Sequence, residues 1–257
     1  MSASHEKLAV ITGASTGIGL ELARIASSEG YHLILAADEP RIQTAAAEFG
    51  AEAVEADLAT TEGVDKLLEQ VAGRRIEILC ANAGRGLGHG FVDQEWDAIR
   101  RVIETNVLGT TYLLHRVLNE MKAANQGRVL ITGSIAGFMP GTYQAVYNAT
   151  KAYDDSLADA LRAELKDTNV TVACLMPGPT ETEFFQRAGM MDTKVGAAQK
   201  DDAAMVAKTG WDAMMNDSGH VVAGFKNKVQ AAIAHVAPAP VLAKLHERMA
   251  KPGTAKN

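Results

Sequence analysis

Short runs of apolar residues, each about the length of one strand, alternate along the chain with stretches whose apolar positions fall three and four apart. The runs are Leu8 to Thr12, Leu33 to Ala36, Ala53 to Ala56, Ile76 to Ala81, Arg128 to Thr132, Val170 to Met176 and Val221 to Ala223. Between them, Ile18, Leu22, Ile25 and Ala26, then Val64, Leu67, Leu68 and Val71, repeat with a helical period. Strands that are apolar at every position are covered on both faces, and strand–helix alternation with right-handed crossovers gives a parallel sheet between two helical layers. The pattern predicts an α/β fold, a doubly wound, seven-stranded parallel sheet with helices on both faces. No Pro/Ser-rich linker or charge run breaks the alternation before about residue 178, so residues 1–257 read as a single domain. Beyond that point the chain turns helical, polar and Met-rich. Residues 180–217 are expected to form a lid segment within the domain, and residues 226–257 a C-terminal helical extension.

Composition narrows the classes. With 47% apolar and 22% charged residues, the chain has the make-up of an ordinary globular fold. Its 25 Lys+Arg against 31 Asp+Glu give a formal charge of -6, and no basic run tracks a nucleic-acid backbone. Cys80 and Cys174 lie inside the apolar runs IEILC and VTVACLM and read as small core residues, not as a nucleophile or redox pair. The N-terminal MSASHEKLAVIT has no long apolar core of a secretion signal, and no stretch is long enough to span a bilayer, so the expected address is cytoplasmic. His5, His32, His89, His115, His220, His235 and His246 are scattered without ligand spacing, so no metal site is expected. His89, in a Gly-rich loop, reads as a solvated side chain.

The glycines mark the first chemistry. Thr12-Gly13-Ala14-Ser15-Thr16-Gly17-Ile18-Gly19 follows the first strand directly and leads into a helix from Leu20 to Ser28. Missing side chains let backbone N–H groups approach a pyrophosphate, whose charge then meets the positive end of the helix dipole. The spacing is GxxxGxG, not the general GxGxxG, so an ordinary tight turn remains open at this point. Asp38, at the end of the second strand, can accept hydrogen bonds from ribose hydroxyls and would repel a 2′-phosphate, a repulsion to which Glu39 adds. Arg41 could pair with such a phosphate but reads more simply as a solvated residue in the first turn of a helix. NAD is therefore favoured, with NADP possible. Asp57, after the third strand, suits either an adenine amino group or the N-cap of the next helix.

Tyr147 and Lys151 lie one turn apart on a helix that continues through Leu157, Ala158, Leu161 and Leu165. An ammonium beside a phenol favours the phenolate and would make the tyrosine a usable proton donor, although the spacing alone also suits a surface Tyr stacked on a Lys stem. Six motifs occur in order from about Leu8 to Thr182: the glycine turn, Asn82-Ala83-Gly84, Asn106, Ser134, Tyr147 with Lys151, and Pro177-Gly178. Together they resemble the short-chain dehydrogenase/reductase family, in its short single-domain branch. The resemblance implies a Rossmann-like fold and an NAD(P)-dependent enzyme that moves hydride between the nicotinamide and a ketone or secondary alcohol. It implies Tyr147 as the acid–base residue, Ser134 orienting the substrate oxygen, and Lys151 bonding the ribose and lowering the tyrosine pKa. Asn106, in a helix from Trp96 to Met121, is expected to hold a water of a proton relay. The implied cofactor contacts are Gly13, Ser15, Thr16, Gly17, Ile18 and Gly19; Asp38, Asp57 and Leu58; Asn82, Ala83 and Gly84; Tyr147 and Lys151; and Pro177, Gly178, Thr180 and Thr182. NADP-using relatives often carry a basic residue at the positions of Thr16 and Asp38, which this chain lacks, while the commonest NAD-type carboxylate would fall at Ala37. The family also implies a homodimer or homotetramer joined through helices near residues 96–122 and 147–166.

The substrate is expected to meet Phe138 to Tyr143, Arg85 to Phe91, and Phe184-Phe185 through Met190-Met191, which suggests a hydrophobic ketone or alcohol; Phe184, Phe185 and the Met pair equally suit lid packing. In the extension, Val229, Ile233 and Val236, then Val241, Leu242, Leu245 and Met249, form stripes read as subunit or lid packing in preference to peripheral membrane attachment. Two other classes stay open: a cofactor-binding scaffold without turnover, and a dehydratase or epimerase on the same fold.

Overall fold

A computed structural model describes residues 7–255, so the N-terminal stretch up to Glu6, with His5, lies outside the described residues. Strands β1 (Leu8–Thr12), β2 (His32–Ala37), β3 (Glu52–Glu55), β4 (Ile76–Ala81), β5 (Gly127–Thr132), β6 (Val170–Met176) and β7 (His220–Val222) form one parallel sheet in the order β3-β2-β1-β4-β5-β6-β7. The order reverses between β1 and β4. Loops leaving these two strands diverge there and open a crevice at the carboxyl ends of the strands.

Helices cover both faces. They are α1 (Gly17–Ser28), α2 (Arg41–Ala47), α3 (Thr61–Val71), α4 (Trp96–Ile103), α5 (Thr110–Ala124), α6 (Ala145–Glu164), α7 (Phe184–Arg187), α8 (Lys194–Ala197), α9 (Ala203–Met215), α10 (Phe225–Val236) and α11 (Ala239–Ala250). Alternate residues of each strand feed the two cores. Val10, Ile34, Leu79 and Val129 pack with Leu67, Leu114 and Val117 on one side, whereas Ile11, Leu35, Ile78 and Leu130 pack with Leu22, Val206 and Trp211 on the other. The two cysteines fall into opposite cores, both free and both fully buried.

Element bounds shift slightly from the sequence pattern: the third strand ends at Glu55, the last runs from His220 to Val222, and α1 already begins at Gly17. One difference matters to the site. The helix expected from Trp96 to Met121 is interrupted by a π turn, Glu104–Gly109, that carries Asn106. The wider turn inserts a residue into the helical ladder, a local irregularity common at functional sites. At Gly109 a Cβ would collide with the Leu58 carbonyl, so the turn lies directly on the loop after β3. Asp57 does not cap α3; Thr60 does, its hydroxyl accepting from the Gly63 N–H at 3.0 Å.

The 180–217 segment folds as α7, α8 and α9 within the same domain. The extension folds as α10 and α11 and packs back on the domain. Thr142 Oγ1 donates to the Ala243 carbonyl at 2.9 Å, and Leu242 and Ala234 cluster with Met139. Its outer face stays open, with Phe225 81% and Val236 83% exposed. Among the described residues no helix is long and apolar enough to cross a membrane, and no group of His, Cys, Asp and Glu side chains could hold a metal ion.

Burial pushes the Cys80 thiol up to about 12 and the Cys174 thiol well above its ordinary range. The native protein is therefore expected to leave both thiols unmodified by a thiol-specific reagent over a period in which the denatured chain reacts at both. A fast-reacting native thiol would mean that one core is open to solvent.

Candidate active site

The crevice is a cavity of about 310 Å³ running from Asp38 and the glycine turn to Tyr147 and the C-terminal helices. Its floor is held by one asparagine. Asn82 Nδ2 donates to the carbonyls of Thr12 (3.1 Å) and Gly13 (3.3 Å), and its Oδ1 accepts from Thr132 Oγ1 at 3.0 Å. Thr12 Oγ1 accepts from the N–H groups of Asn82 and Ala83, both at 3.0 Å, and donates to the Cys80 carbonyl at 3.3 Å. The ends of β1, β4 and β5 are thus tied together.

The glycine turn fits a pyrophosphate. Gly13 and Gly17 have φ of +63° and +56°, conformations that favour glycine. Thr16 occupies the N-cap position of α1 without a side-chain bond to the first turn, which leaves those N–H groups free to meet an anion at the positive end of the helix. Gly13, Ser15, Thr16, Gly17 and Ile18 line the cavity, but Gly19 does not. A Cβ there would run into the Gly13 carbonyl and the Asn82 amide, so Gly19 closes the packing beneath the turn.

At the far end Asp38 follows β2 and lines the cavity as expected, but it is not alone. Arg85 and Arg101 both pair with it, Arg101 at 3.5 Å and Arg85 at a shorter distance. Arg101 also holds Asp57 at 2.5 Å, and the Ala59 N–H donates to the same carboxylate at 3.0 Å. Burial would raise the Asp57 pKa, but these bonds outweigh it and hold the carboxyl below its ordinary range. Arg41 is not simply solvated. It bonds both Glu183 oxygens, at 2.7 and 2.8 Å, and Glu39 at 3.2 Å, while Arg187 reaches Glu39 at 3.0 Å and Glu183 at 2.7 Å. Glu39, bonded also by Ser15, is held down to about 2 by these donors against its partial burial, so it does not stand as free repelling charge. This network straps the segment after β6 to the end of β2. Thr182 closes over Gly17, where a Cβ would meet its methyl group at 2.8 Å.

The middle of the cavity brings Ser134, Tyr147 and Lys151 together. Ser134 leaves β5 in extended conformation, its hydroxyl accepting from the Ala136 N–H at 3.1 Å and donating to the Pro177 carbonyl at 3.3 Å. Lys151, on α6, is buried beneath Gly84 and donates to the Thr132 carbonyl at 2.8 Å and to Asp154 at 3.0 Å. Burial dominates at Tyr147 and keeps its pKa above the ordinary value, although the Lys151 ammonium and the neighbouring Ser134 hydroxyl pull it down. The lowering expected from the Tyr–Lys pair is therefore present, but burial outweighs it. Asn106 lies behind the lysine, on the π turn. Its side chain is fully buried and committed to protein: Oδ1 accepts from the Arg85 N–H at 2.8 Å, and Nδ2 donates to the Arg85 carbonyl and to Thr150 Oγ1, both at 2.9 Å. It clamps the loop after β4 to α6.

Around Tyr147 the walls are Met139, Phe184 and Phe185, with the Phe184 ring 5.0 Å from the tyrosine ring. Phe138, Tyr143, Met190 and Met191 do not line the cavity; Met190 is core and Met191 exposed. Of the loop Arg85 to Phe91 only Arg85 and Gly86 reach it, and His89 is exposed. The sequence reading missed Gln144, Val195, Gln230, His246 and Met249, which complete the wall. The amphipathic stripes of α10 and α11 were the available signal, but nothing local says which core they face. His246 is buried with Nδ1 2.8 Å from the Thr142 carbonyl, and burial lowers its pKa.

A family model for short chain dehydrogenase matches residues 7–193. An uncharacterised oxidoreductase of Staphylococcus epidermidis is 31% identical over 218 residues, 81% of this chain and 94% of that protein. Two solved structures are similar. A short-chain dehydrogenase from Sphingobium yanoikuyae in complex with NADPH has a TM-score of 0.78 and 27% identity, over 91% of this chain and 97% of that one. A short-chain dehydrogenase/reductase from Burkholderia phymatum in complex with NAD has a TM-score of 0.81 and 22% identity, over 91% and 95%. The chain belongs to the short-chain dehydrogenase/reductase family.

Beneath Ser134, Asp155 Oδ1 accepts from the Ser134 N–H at 3.3 Å and from Cys174 Sγ at 3.6 Å, while its other oxygen has no partner. Gly133 and Gly137 leave it room. Burial pushes this carboxyl up to about 7 from an ordinary 3.8. The folded protein then holds a proton that the unfolded chain releases, so stability falls as pH rises from about 4 to about 7. Asp155→Asn, which keeps the acceptor, is expected to flatten that fall and to exceed the wild type in stability at pH 8, as read from urea unfolding across pH. Parallel stability curves for the two proteins would refute the assignment.

Proposed function

We propose that the protein is an NAD(P)-dependent oxidoreductase acting on a hydrophobic ketone or the corresponding secondary alcohol, with NAD the preferred cofactor. The observation that carries this reading is the convergence of Ser134, Tyr147 and Lys151 on one cavity wall, in line with the glycine turn and Asp38. The first-turn N–H groups of α1 would hold a pyrophosphate, Asp38 the adenosine ribose, and Lys151 with Asn82 and Gly84 the nicotinamide end; Thr180 and Thr182 cover it. A bound nicotinamide would supply or accept the hydride. Tyr147 gives its proton to the carbonyl oxygen, Ser134 bonds and orients that oxygen, and Lys151 favours the phenolate left behind. Asn106 supports this arrangement by fixing Thr150 and the Arg85 loop. Met139, Phe184 and Phe185 exclude water and accept an apolar body.

Arg85 and Arg101 favour a second reading, NADP, because either guanidinium could turn from Asp38 to a 2′-phosphate. Exposed Trp96 and Leu108, with Tyr153 on α6, support a homo-oligomer joined through these helices.

Tyr147→Phe is expected to lower kcat by at least about a hundredfold, the scale of general acid catalysis, and to leave the affinity for reduced cofactor within about twofold. Substantial residual turnover on a ketone panel would remove Tyr147 from the acid–base role. On the same panel the wild type is expected to show higher kcat/KM for NADH than for NADPH, and equal or better use of NADPH would overturn the assignment of Asp38.

A further inference from the structure

Tyr147, Lys151 and Asp154 fall on one stripe of α6, spaced four and three residues apart. The Asp154 side chain is 2% exposed, and its Oδ2 lies 3.0 Å from the Lys151 ammonium. Its Oδ1 is also buried and has no partner. A buried carboxylate with an unsatisfied oxygen costs free energy, and an apolar residue at the same place would avoid that cost. The acidic residue nevertheless stands directly behind the lysine that the proposed mechanism uses.

We infer that Asp154 is a positioning residue of this site: it fixes the Lys151 ammonium and offsets its charge, which keeps the Tyr147 phenol protonated and biases the site towards reduction of a carbonyl at neutral pH. The inference rests on the acid–base reading of Tyr147. The ammonium has three protons. One goes to the Thr132 carbonyl and one to Asp154, which leaves one for the cavity side. Asp154 is the carboxylate bonded to the ammonium, and Asp155, which keeps its proton up to about pH 7, adds its charge above that pH. Burial alone would lower the Lys151 pKa, yet Asp154, with Tyr147 and Asp155, holds it above its ordinary value, and both carboxylates oppose ionisation of Tyr147.

The other ionisable groups around the pair are accounted for. Cys174 on β6 is kept protonated by burial beside Asp155. Glu104, in the π turn packed against α6, is paired with Arg100. Across the cavity, Arg85 is paired with Asp38 and Arg187 with Glu183, and burial lowers the pKa of His246 on α11. None of these neutralises Lys151 directly.

The test compares the full-length wild type with Asp154→Asn and Asp154→Glu. Because the chain has five tyrosines, the Tyr147 titration is isolated by subtracting the phenolate absorbance of each protein's Tyr147→Phe partner, without cofactor. The midpoint in Asp154→Asn is expected to fall by about one pH unit, the scale set by one nearby like charge, and Asp154→Glu should stay near the wild type. In the holoenzyme the acid limb of the alcohol-oxidation profile should move by a similar amount, raising oxidation about tenfold on that limb while neutral-pH reduction changes less. If Asp154→Asn does not fold, Asp154→Ser carries the same expectation. An unmoved midpoint, or a loss of rate with both limbs in place, would reduce Asp154 to a structural role and overturn the inference. A shifted midpoint in a protein that oxidises no alcohol and reduces no ketone would sustain the electrostatic role and sink the oxidoreductase reading instead.

Discussion

Asn82 holds the rest of the site in register. Parallel strands leave the C-terminal edge of a sheet with unpaired carbonyls and diverging loops, and these groups need partners as soon as they are buried. Asn82 supplies them by donating to the ends of β1 and accepting from Thr132 at the end of β5. The neighbouring Thr132 carbonyl then receives Lys151. A chain of hydrogen bonds therefore runs from the glycine turn to the lysine, and the pyrophosphate cradle and the proton-transfer end are set by the same few atoms. The π turn adds a second fastening, since Asn106 reaches both the loop after β4 and α6.

Two electrostatic regimes follow from burial. Under Ser134, Asp154, Asp155 and Lys151 sit where water cannot screen them, and the balance of desolvation and pairing decides their protonation. At the rim, Glu39, Arg41, Glu183 and Arg187 are partly exposed, and single pairs of that kind contribute little on their own. Their role is geometric. They connect residues more than a hundred positions apart in sequence and bring the segment after β6 across the glycine turn.

Much of this is legible in the sequence. Runs apolar at every position specified a doubly covered parallel sheet, because only such a sheet buries both faces of each strand. Glycine spacing, Asn82, Ser134, Tyr147 and Lys151 marked the site, and the cavity gathers them. What was not legible depends on long-range pairing. Nothing around Asp38 announces Arg85 and Arg101, which arrive from the loop after β4 and from α4. The π turn has no strong composition signal, so Asn106 was assigned to a continuous helix. His246 and Met249 looked like part of an amphipathic tail, and only packing directs them to the cavity. The Tyr–Lys spacing suggested a lowered phenol pKa because sequence spacing carries no information about desolvation.

The rim network has a further consequence. Charges exposed to solvent are screened over about 8 Å at physiological ionic strength, whereas a buried cluster feels salt far less. Ionic strength therefore acts on the strap across the mouth of the cleft and barely on the ammonium and carboxylates beneath Tyr147. The molecule separates how tightly its entrance is fastened from how its interior moves protons, and a change in the surrounding salt can loosen the first without retuning the second.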